Sequence, residues 1–349
     1  MAAQTTTAAV LRATGEPLAL LDLALPALQP GQVLVDVAFA GLCGTQLLEI
    51  RGGKGPDKYL PHVLGHEGSG IVAACGTGVA KGKPGDHVVL SWIRGAGLDV
   101  PGTRYAGPAG PVNGGAVCTF MTRTVTCESR VFRVPDALPL REAALLGCAV
   151  PTGAGIVRNT ARLQPGQTIA IFGAGGIGLS AIMAAALAGA ALIVAIDVTA
   201  QKLARARDAG ATATIDARTG DPLTAIHALT GGKGVDVAVE ATGSPAVMET
   251  AHRSVREKGG LCVIAGNARH AETFRIDPYD LIKGRRIAGS WGGETDPDRD
   301  IPHYADLFLQ DKFPFGKLAT HCWPLAQINA AFDALAAGEV SRALIDMTP

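Results

Sequence analysis

The stretch from Thr168 to Asp197, TIAIFGAGGIGLSAIMAAALAGAALIVAID, leaves few folds open to this chain. It begins with an apolar run, Thr168 to Phe172, short enough to be a buried strand. Gly173, Gly175 and Gly178 follow at once in the spacing G-x-G-x-x-G, with Gly176 and Ile177 between the last two. An alanine-rich apolar segment of helix length comes next and breaks near Gly189. A second apolar run, Leu192 to Ile196, ends in Asp197. Strand, glycine turn, helix, strand and acid in this order form a βαβ unit that carries a dinucleotide-binding fingerprint in its expected context.

Each part has a physical reason. Gly173 permits the tight turn out of the strand, Gly175 lets a pyrophosphate approach the backbone, and Gly178 lets helix and strand pack closely. The helix N-terminus offers unpaired N–H groups and partial positive charge to the phosphates, with Gly176 and Ile177 at its start. Asp197 falls close to the roughly 20 residues past the last glycine expected of a carboxylate that binds the adenosine ribose. That carboxylate selects NAD(H), because a 2′-phosphate would meet its charge, and Val198 and Thr199 supply no arginine. Lys202 is the one nearby cation that could soften the selection.

The chain has 349 residues, a length that suggests two domains. Hydrophobic residues make up 48% and charged residues 18%, enough apolar material for a sizeable core. Lysine plus arginine equals aspartate plus glutamate at 31 each, so no net field points to nucleic acid or to a membrane surface. The N-terminal MAAQTTTAAVLR lacks a basic region followed by an apolar core, so no secretory signal is expected there. The seven cysteines contain no C-x-x-C pair and are odd in number, which argues against a disulfide framework and for a reducing, cytoplasmic setting.

Residues 1 to about 150 read as β-rich, with apolar or alternating runs at Val33–Phe39, Gly70–Cys75, Asp86–Trp92 and Phe120–Thr126. Leu138 to Gly147 reads as helical, with Pro139 in the first turn. From Thr152 to about Ser290 strands and helices alternate. Six strands are expected: Thr168–Phe172, Leu192–Ile196, Thr212–Ile215, Asp236–Val239, Leu261–Ile264 and Arg286–Ser290, the complement of a doubly wound parallel sheet. Beyond Trp291 the pattern is mixed, with a helix at Ile328–Ala337 and a short strand near Ala343–Met347.

Cys43 in GLCGTQ, His66 and Glu67 in GHEGSG, and Cys148 in LLGCAVPTG supply two soft thiolates and an imidazole of the kind that suits zinc. They are too far apart in sequence for a local knuckle. The other cysteines, Cys75, Cys127, Cys262 and Cys322, read as small buried hydrophobes.

Gly65 to Val79, GHEGSGIVAACGTGV, followed by PGDHVV, closely resembles the zinc signature of the medium-chain dehydrogenase/reductase family. Cys43 with Thr45 resembles that family's first ligand and neighbouring hydroxyl, and Cys148 stands before Thr152 and Gly153 as the third ligand does. The resemblance extends over essentially the whole chain, and its C-terminal part looks like the zinc alcohol dehydrogenase branch. It implies a GroES-like β-rich catalytic domain, residues 1–150 and 291–349, split by a Rossmann doubly wound domain, residues 151–290. It also implies one catalytic zinc on Cys43, His66 and Cys148, with Glu67 as an acid near the metal or a transient ligand, and Thr45 as the hydroxyl that accepts the substrate proton. Thr152 and Arg342 then join the cofactor-binding residues, Arg342 through the pyrophosphate, and a homo-oligomer, dimer or tetramer, is expected.

Four positions depart from the family pattern. Gly44 stands where an arginine often binds pyrophosphate. Gln46 replaces an aspartate that orients the histidine ligand; it keeps a carbonyl acceptor but no charge. Leu48 stands where a histidine passes the proton outward, so water is expected to receive it. The family's four-cysteine lobe is reduced to Cys118 between Trp92 and Phe120, so no structural zinc is expected. Pro101, Pro108 and Pro111 mark that stretch as a loop held by packing and turns.

Trp92, Asn267 and Trp291 fall where relatives line the substrate pocket, and aromatic walls favour an alcohol or aldehyde with an apolar or aromatic tail. Trp92 and Trp291 as core residues, and Asn267 as a turn residue, stay open. Other readings are a polyol or cyclitol dehydrogenase of the same family and, from another class, a nucleotide-binding protein without catalysis. The complete ligand set and Thr45 speak against the latter.

Overall fold

The computed structural model describes residues 4–340 and 342–348, so the first three residues of the N-terminal segment read above lie outside the described residues. The described chain divides into two compact units. One comprises the N-terminal segment through Cys148, Asp296–Asp311 and the segment from Ala319 onward; the other comprises Ala149–Thr295 and Lys312–Leu318.

The second unit is the doubly wound domain. Six parallel strands run in the order Ala213–Asp216, Leu192–Asp197, Thr168–Phe172, Val237–Glu240, Leu261–Ile264, Arg286–Gly289. The strand order reverses between Thr168–Phe172 and Val237–Glu240, which is the switch point where open α/β sheets bind ligands. Ala170, Phe172, Val194, Ile196 and Ala238 are buried together in its core. The helix Gly176–Leu187 is apolar on every side and mostly buried, as a helix enclosed by protein must be. Helix starts follow local chemistry: Asp221 accepts a hydrogen bond from the Thr224 N–H at 2.9 Å, and Pro222 occupies the first turn of Pro222–Leu229.

The first unit is built from β-structure. The strands Thr5–Leu11, Ala19–Ala24, Arg104–Gly107, Gly110–Gly114 and His62–Val63 close a barrel. A second sheet runs Val131–Arg133, His87–Ser91, Glu67–Cys75, Gln32–Gly41, Ala343–Asp346, His321–Pro324, with Arg123–Cys127 paired to Gln32–Gly41. Phe120 meets Phe332 of the helix Ile328–Ala336 edge to face at 5.8 Å in the main core of this unit.

The proline- and glycine-rich stretch expected to be a loop is in part a hairpin. Arg104–Gly107 pairs with Gly110–Gly114, and Tyr105 and Val112 are buried in the barrel core. The alternation of Tyr105 and Val112 with exposed neighbours is the period-2 pattern of a half-buried strand. The segment expected as one helix from Leu138 is a single α-turn, Leu140–Ala143, continued as the 3₁₀ turn Ala144–Gly147, with Pro139 at the cap position. No single helix among the described residues is long and apolar enough to cross a membrane.

Candidate nucleotide site and metal centre

The nucleotide site sits at the C-terminal edge of the parallel sheet. Gly173 leaves the strand Thr168–Phe172 at φ 95°, a conformation open to glycine, and Gly175 is the N-cap of the helix Gly176–Leu187. A Cβ at Gly178 would lie 1.8 Å from the Gly173 carbonyl oxygen, so no larger residue permits this approach. A Cβ at Gly175 would meet nothing within 4 Å, leaving open the space that a pyrophosphate would fill. Asp197 ends the next strand. Its Oδ2 accepts from the Ala174 N–H at 2.8 Å and its Oδ1 from the Thr199 N–H at 3.0 Å. The carboxylate is thereby fixed against the fingerprint turn, and Lys202 follows in the first turn of Ala200–Asp208. Gly176 and Ile177 open the fingerprint helix, each partly exposed. Thr152, in Ala149–Gly155, is buried, and its hydroxyl has no hydrogen-bond partner among the described residues. These features fit a dinucleotide.

Two acidic residues of this unit were not singled out in the sequence. Glu240 ends the strand across the switch point and is fully buried. Its carboxylate accepts from the Thr242 N–H at 2.7 Å, the Thr242 hydroxyl and the Gly243 N–H at 3.0 Å. Burial pushes its pKa up against those bonds. Asp216 ends the strand beside Asp197. Both stand one residue past an apolar strand run, a signal that the strand boundaries drawn from sequence cut off.

The candidate metal ligands all lie in the first unit. Cys43 lies just ahead of the helix Gly44–Ile50, His66 just before the strand Glu67–Cys75, and Cys148 just after the turn Ala144–Gly147. These separate segments converge on Cys43, whose thiol is hydrogen-bonded to both Cys148 and His66. The Cys148 bond, with the bond and charge of His66, holds the Cys43 thiol well below its usual range against the opposing effect of burial. Two thiols and an imidazole gathered with one thiol biased to thiolate fit zinc, and three protein ligands leave a position for substrate. Thr45 stands two residues after Cys43 on the same helix, half-buried.

Gln46 is buried, and its Oε1 accepts from the Cys43 N–H at 2.8 Å as part of a capping box. Its acceptor is therefore spent on the helix start that carries the first ligand. Arg342 has a partner that the sequence did not indicate. Its guanidinium pairs with the carboxylate of Glu67 and hydrogen-bonds the Cys43 side chain, with both Arg342 and Glu67 buried. A buried carboxylate needs an opposite charge, and here Arg342 supplies it.

Cys118 is buried, with Met121 Sδ and Thr124 Oγ1 each 3.5 Å from its sulfur and Tyr105 Oη at 3.9 Å, and burial raises its pKa. It is a packed thiol of the barrel. A further group, Glu49, Asp57 and His62, brings its ligand atoms within 4.8 Å. His62 Nε2 is 2.8 Å from Asp57, and the Lys54 ammonium already donates to Glu49 at 2.6 Å, so this is an ion network with its own cation. Trp92 is half-buried and packs against the main core of its unit. Trp291 is 79% exposed, so it is no core residue, and Asn267 is exposed.

A doubly wound nucleotide domain joined to a β-rich unit that gathers two cysteines and a histidine defines a zinc-dependent nucleotide-linked oxidoreductase. Residues 29–136 match the family "Alcohol dehydrogenase GroES-like domain" and residues 176–310 match "Zinc-binding dehydrogenase". The alcohol dehydrogenase class-3 of Pisum sativum is 32% identical over 97% of this chain and 96% of its own length. The crystal structure of an alcohol dehydrogenase zinc-binding domain protein from Burkholderia ambifaria superposes with a TM-score of 0.91 at 34% identity, covering 99% of this chain and 100% of that one. Benzyl alcohol dehydrogenase from Acinetobacter calcoaceticus superposes with a TM-score of 0.88 at 29% identity, with the same coverage. The chain belongs to the zinc-dependent alcohol dehydrogenases of the medium-chain dehydrogenase/reductase family.

Proposed function

We propose that this chain oxidises an alcohol, or reduces the matching aldehyde, with NAD(H) as its preferred cofactor and one catalytic zinc held by Cys43, His66 and Cys148. The observation that carries the reading is the convergence of Cys148 and His66 on the Cys43 thiol. Zinc at this position supplies Lewis acidity to the substrate oxygen, and NAD supplies the hydride acceptor. Residues 1–150 with 291–349 serve as the catalytic domain and residues 151–290 as the nucleotide domain.

The chain's own residues do the rest. Thr45 accepts the substrate hydroxyl proton through its Oγ1, and with Leu48 on the same helix the proton leaves to water. Glu67, paired with Arg342, keeps negative charge behind the ligands, and Gln46 holds the helix start that presents Cys43. The helix N-terminus at Gly175–Gly178 receives the pyrophosphate, Asp197 the ribose hydroxyls, and Thr152 offers its unspent hydroxyl to the cofactor.

Trp92 supports a substrate with an apolar or aromatic tail, as does the name of the benzyl alcohol dehydrogenase relative. Asn267 and Trp291 are proposed as further substrate-contacting residues. The balanced charge gives no net field toward nucleic acid, and the seven unbridged cysteines suit the cytoplasm. The exposed Tyr279 and Ile282 of the helix Pro278–Ile282, just ahead of the edge strand Arg286–Gly289, offer apolar surface for a homo-oligomer. A panel of primary, aromatic and polyhydroxylated alcohols assayed with NAD and NADP tests the reading. Turnover with apolar primary alcohols and NAD supports it, and turnover confined to polyols overturns the substrate class.

A further inference from the structure

The strand that ends in Asp197 has a neighbour on its outer side, Ala213–Asp216, and the parallel register sets Asp216 directly opposite Asp197. Neighbouring strands lie about 4.8 Å apart, so two carboxylates stand side by side at the edge of the sheet where the adenosine ribose belongs. They have different partners. Both oxygens of Asp197 are taken by backbone N–H groups, those of Ala174 and Thr199. Asp216 instead holds Arg218: Nε donates to Oδ1 at 3.0 Å, Nη2 to Oδ2 at 2.7 Å, and the Arg218 N–H to Oδ1 at 3.0 Å. The turn that makes this possible is closed by the Thr219 N–H on the Asp216 carbonyl at 3.1 Å.

Arg218 is otherwise exposed, its side chain 58% open to solvent. A guanidinium fork grips a carboxylate or a phosphate bidentately, and the Nε/Nη2 edge of Arg218 is already engaged by Asp216, which fixes the direction of the side chain. The arginine side chain, and its contact with Asp216, draws the Asp216 pKa down to about 2, so the partner carboxylate stays charged through the neutral range.

We propose that Asp216 is a specificity-determining residue for the nicotinamide cofactor: by gripping Arg218 beside the strand end that pairs with Asp197, it holds that guanidinium away from a 2′-phosphate. The proposal rests on the NAD(H) reading above and extends it from one carboxylate to an adjacent pair. Lys202 is a further cation nearby, in the first turn of the helix that follows Asp197.

The test is fluorescence titration of the intact protein with NADH and with NADPH, read as the ratio of the two dissociation constants. Asp216→Asn keeps Oδ1 for the Arg218 N–H and removes the charge. It should shift the ratio toward NADPH by about tenfold, the scale of one lost and one gained exposed charge contact. Asp216→Asn combined with Arg218→Gln should return the ratio to near the wild-type value, and Arg218→Gln alone should leave it there. Asp216→Ser is the second variant if asparagine disturbs the turn, judged by unchanged NADH affinity. An unchanged ratio in both Asp216 variants, or a shift that survives the loss of Arg218, overturns the proposal. A wild-type protein that binds NADPH as tightly as NADH would instead overturn the NAD(H) reading, while the change in ratio would still decide the role of Asp216.

Discussion

Arg342 and Glu67 form a buried ion pair against the Cys43 side chain, joining the C-terminal segment to the strand that follows the histidine ligand. Removing one partner of such a pair leaves an uncompensated charge in the interior, which costs about 3–5 kcal/mol. Arg342→Leu should therefore lower stability by that amount in urea unfolding. The double variant Arg342→Leu with Glu67→Gln should recover part of the loss, since neither charge is then stranded. Additive losses would show that the two side chains do not act as a pair.

Glu128 ties two loops together. Its Oε1 accepts from the Ala80 N–H at 2.5 Å and the Lys81 N–H at 2.7 Å, and its Oε2 from the Leu98 N–H at 2.7 Å. Burial works to raise its pKa, but the Leu98, Ala80 and Lys81 bonds outweigh it and the folded value lies below the ordinary 4.5. A depressed carboxylate contributes stability above its unfolded pKa and loses it as pH falls through the folded one. Glu128→Gln should cost about 1–3 kcal/mol at pH 7. The gap between wild type and variant should close as the pH falls below 4.5, and a gap independent of pH would contradict the assignment.

Thr45 carries the proposed proton transfer. Thr45→Val keeps the shape and removes the hydroxyl, so alcohol oxidation should slow by about 10²–10⁴, the range of lost acid–base help. Thr45→Ser should remain active. A fully active valine variant would assign the proton to another group.

Asp197 is the residue proposed to select NAD(H) over NADP(H). Its fixed carboxylate faces a 2′-phosphate as a like charge, and such juxtapositions cost several kcal/mol. The wild-type kcat/KM with NADH should exceed that with NADPH on the order of a hundredfold. Comparable values would contradict this role.

The sequence made the nucleotide domain legible because its signals are local. The glycines at 173, 175 and 178 and Asp197 lie within one βαβ unit, and the six apolar runs fall close to the six observed strands. The barrel was harder to see. Its strand His62–Val63 is two residues long, and its hairpin at 104–114 is rich in the glycine and proline that mark loops. The candidate metal ligands came from resemblance, but the partner of Arg342 did not: Glu67 and Arg342 are far apart in the chain and meet only in the fold. Asp216 was hidden for a similar reason. Its significance comes from strand register with Asp197, and no spacing along the chain reports register.

The central claim is that Cys43, His66 and Cys148 hold the one zinc on which turnover depends. Zinc analysis of the wild type and of Cys43→Ser, each paired with a turnover assay and an NADH titration, tests it most directly. The wild type should carry one zinc per chain. The variant should lose both zinc and turnover while still binding NADH, because the nucleotide site is built within a separate unit. A variant that keeps its zinc and a wild-type rate would contradict the account, as would a wild type carrying close to two zinc ions per chain.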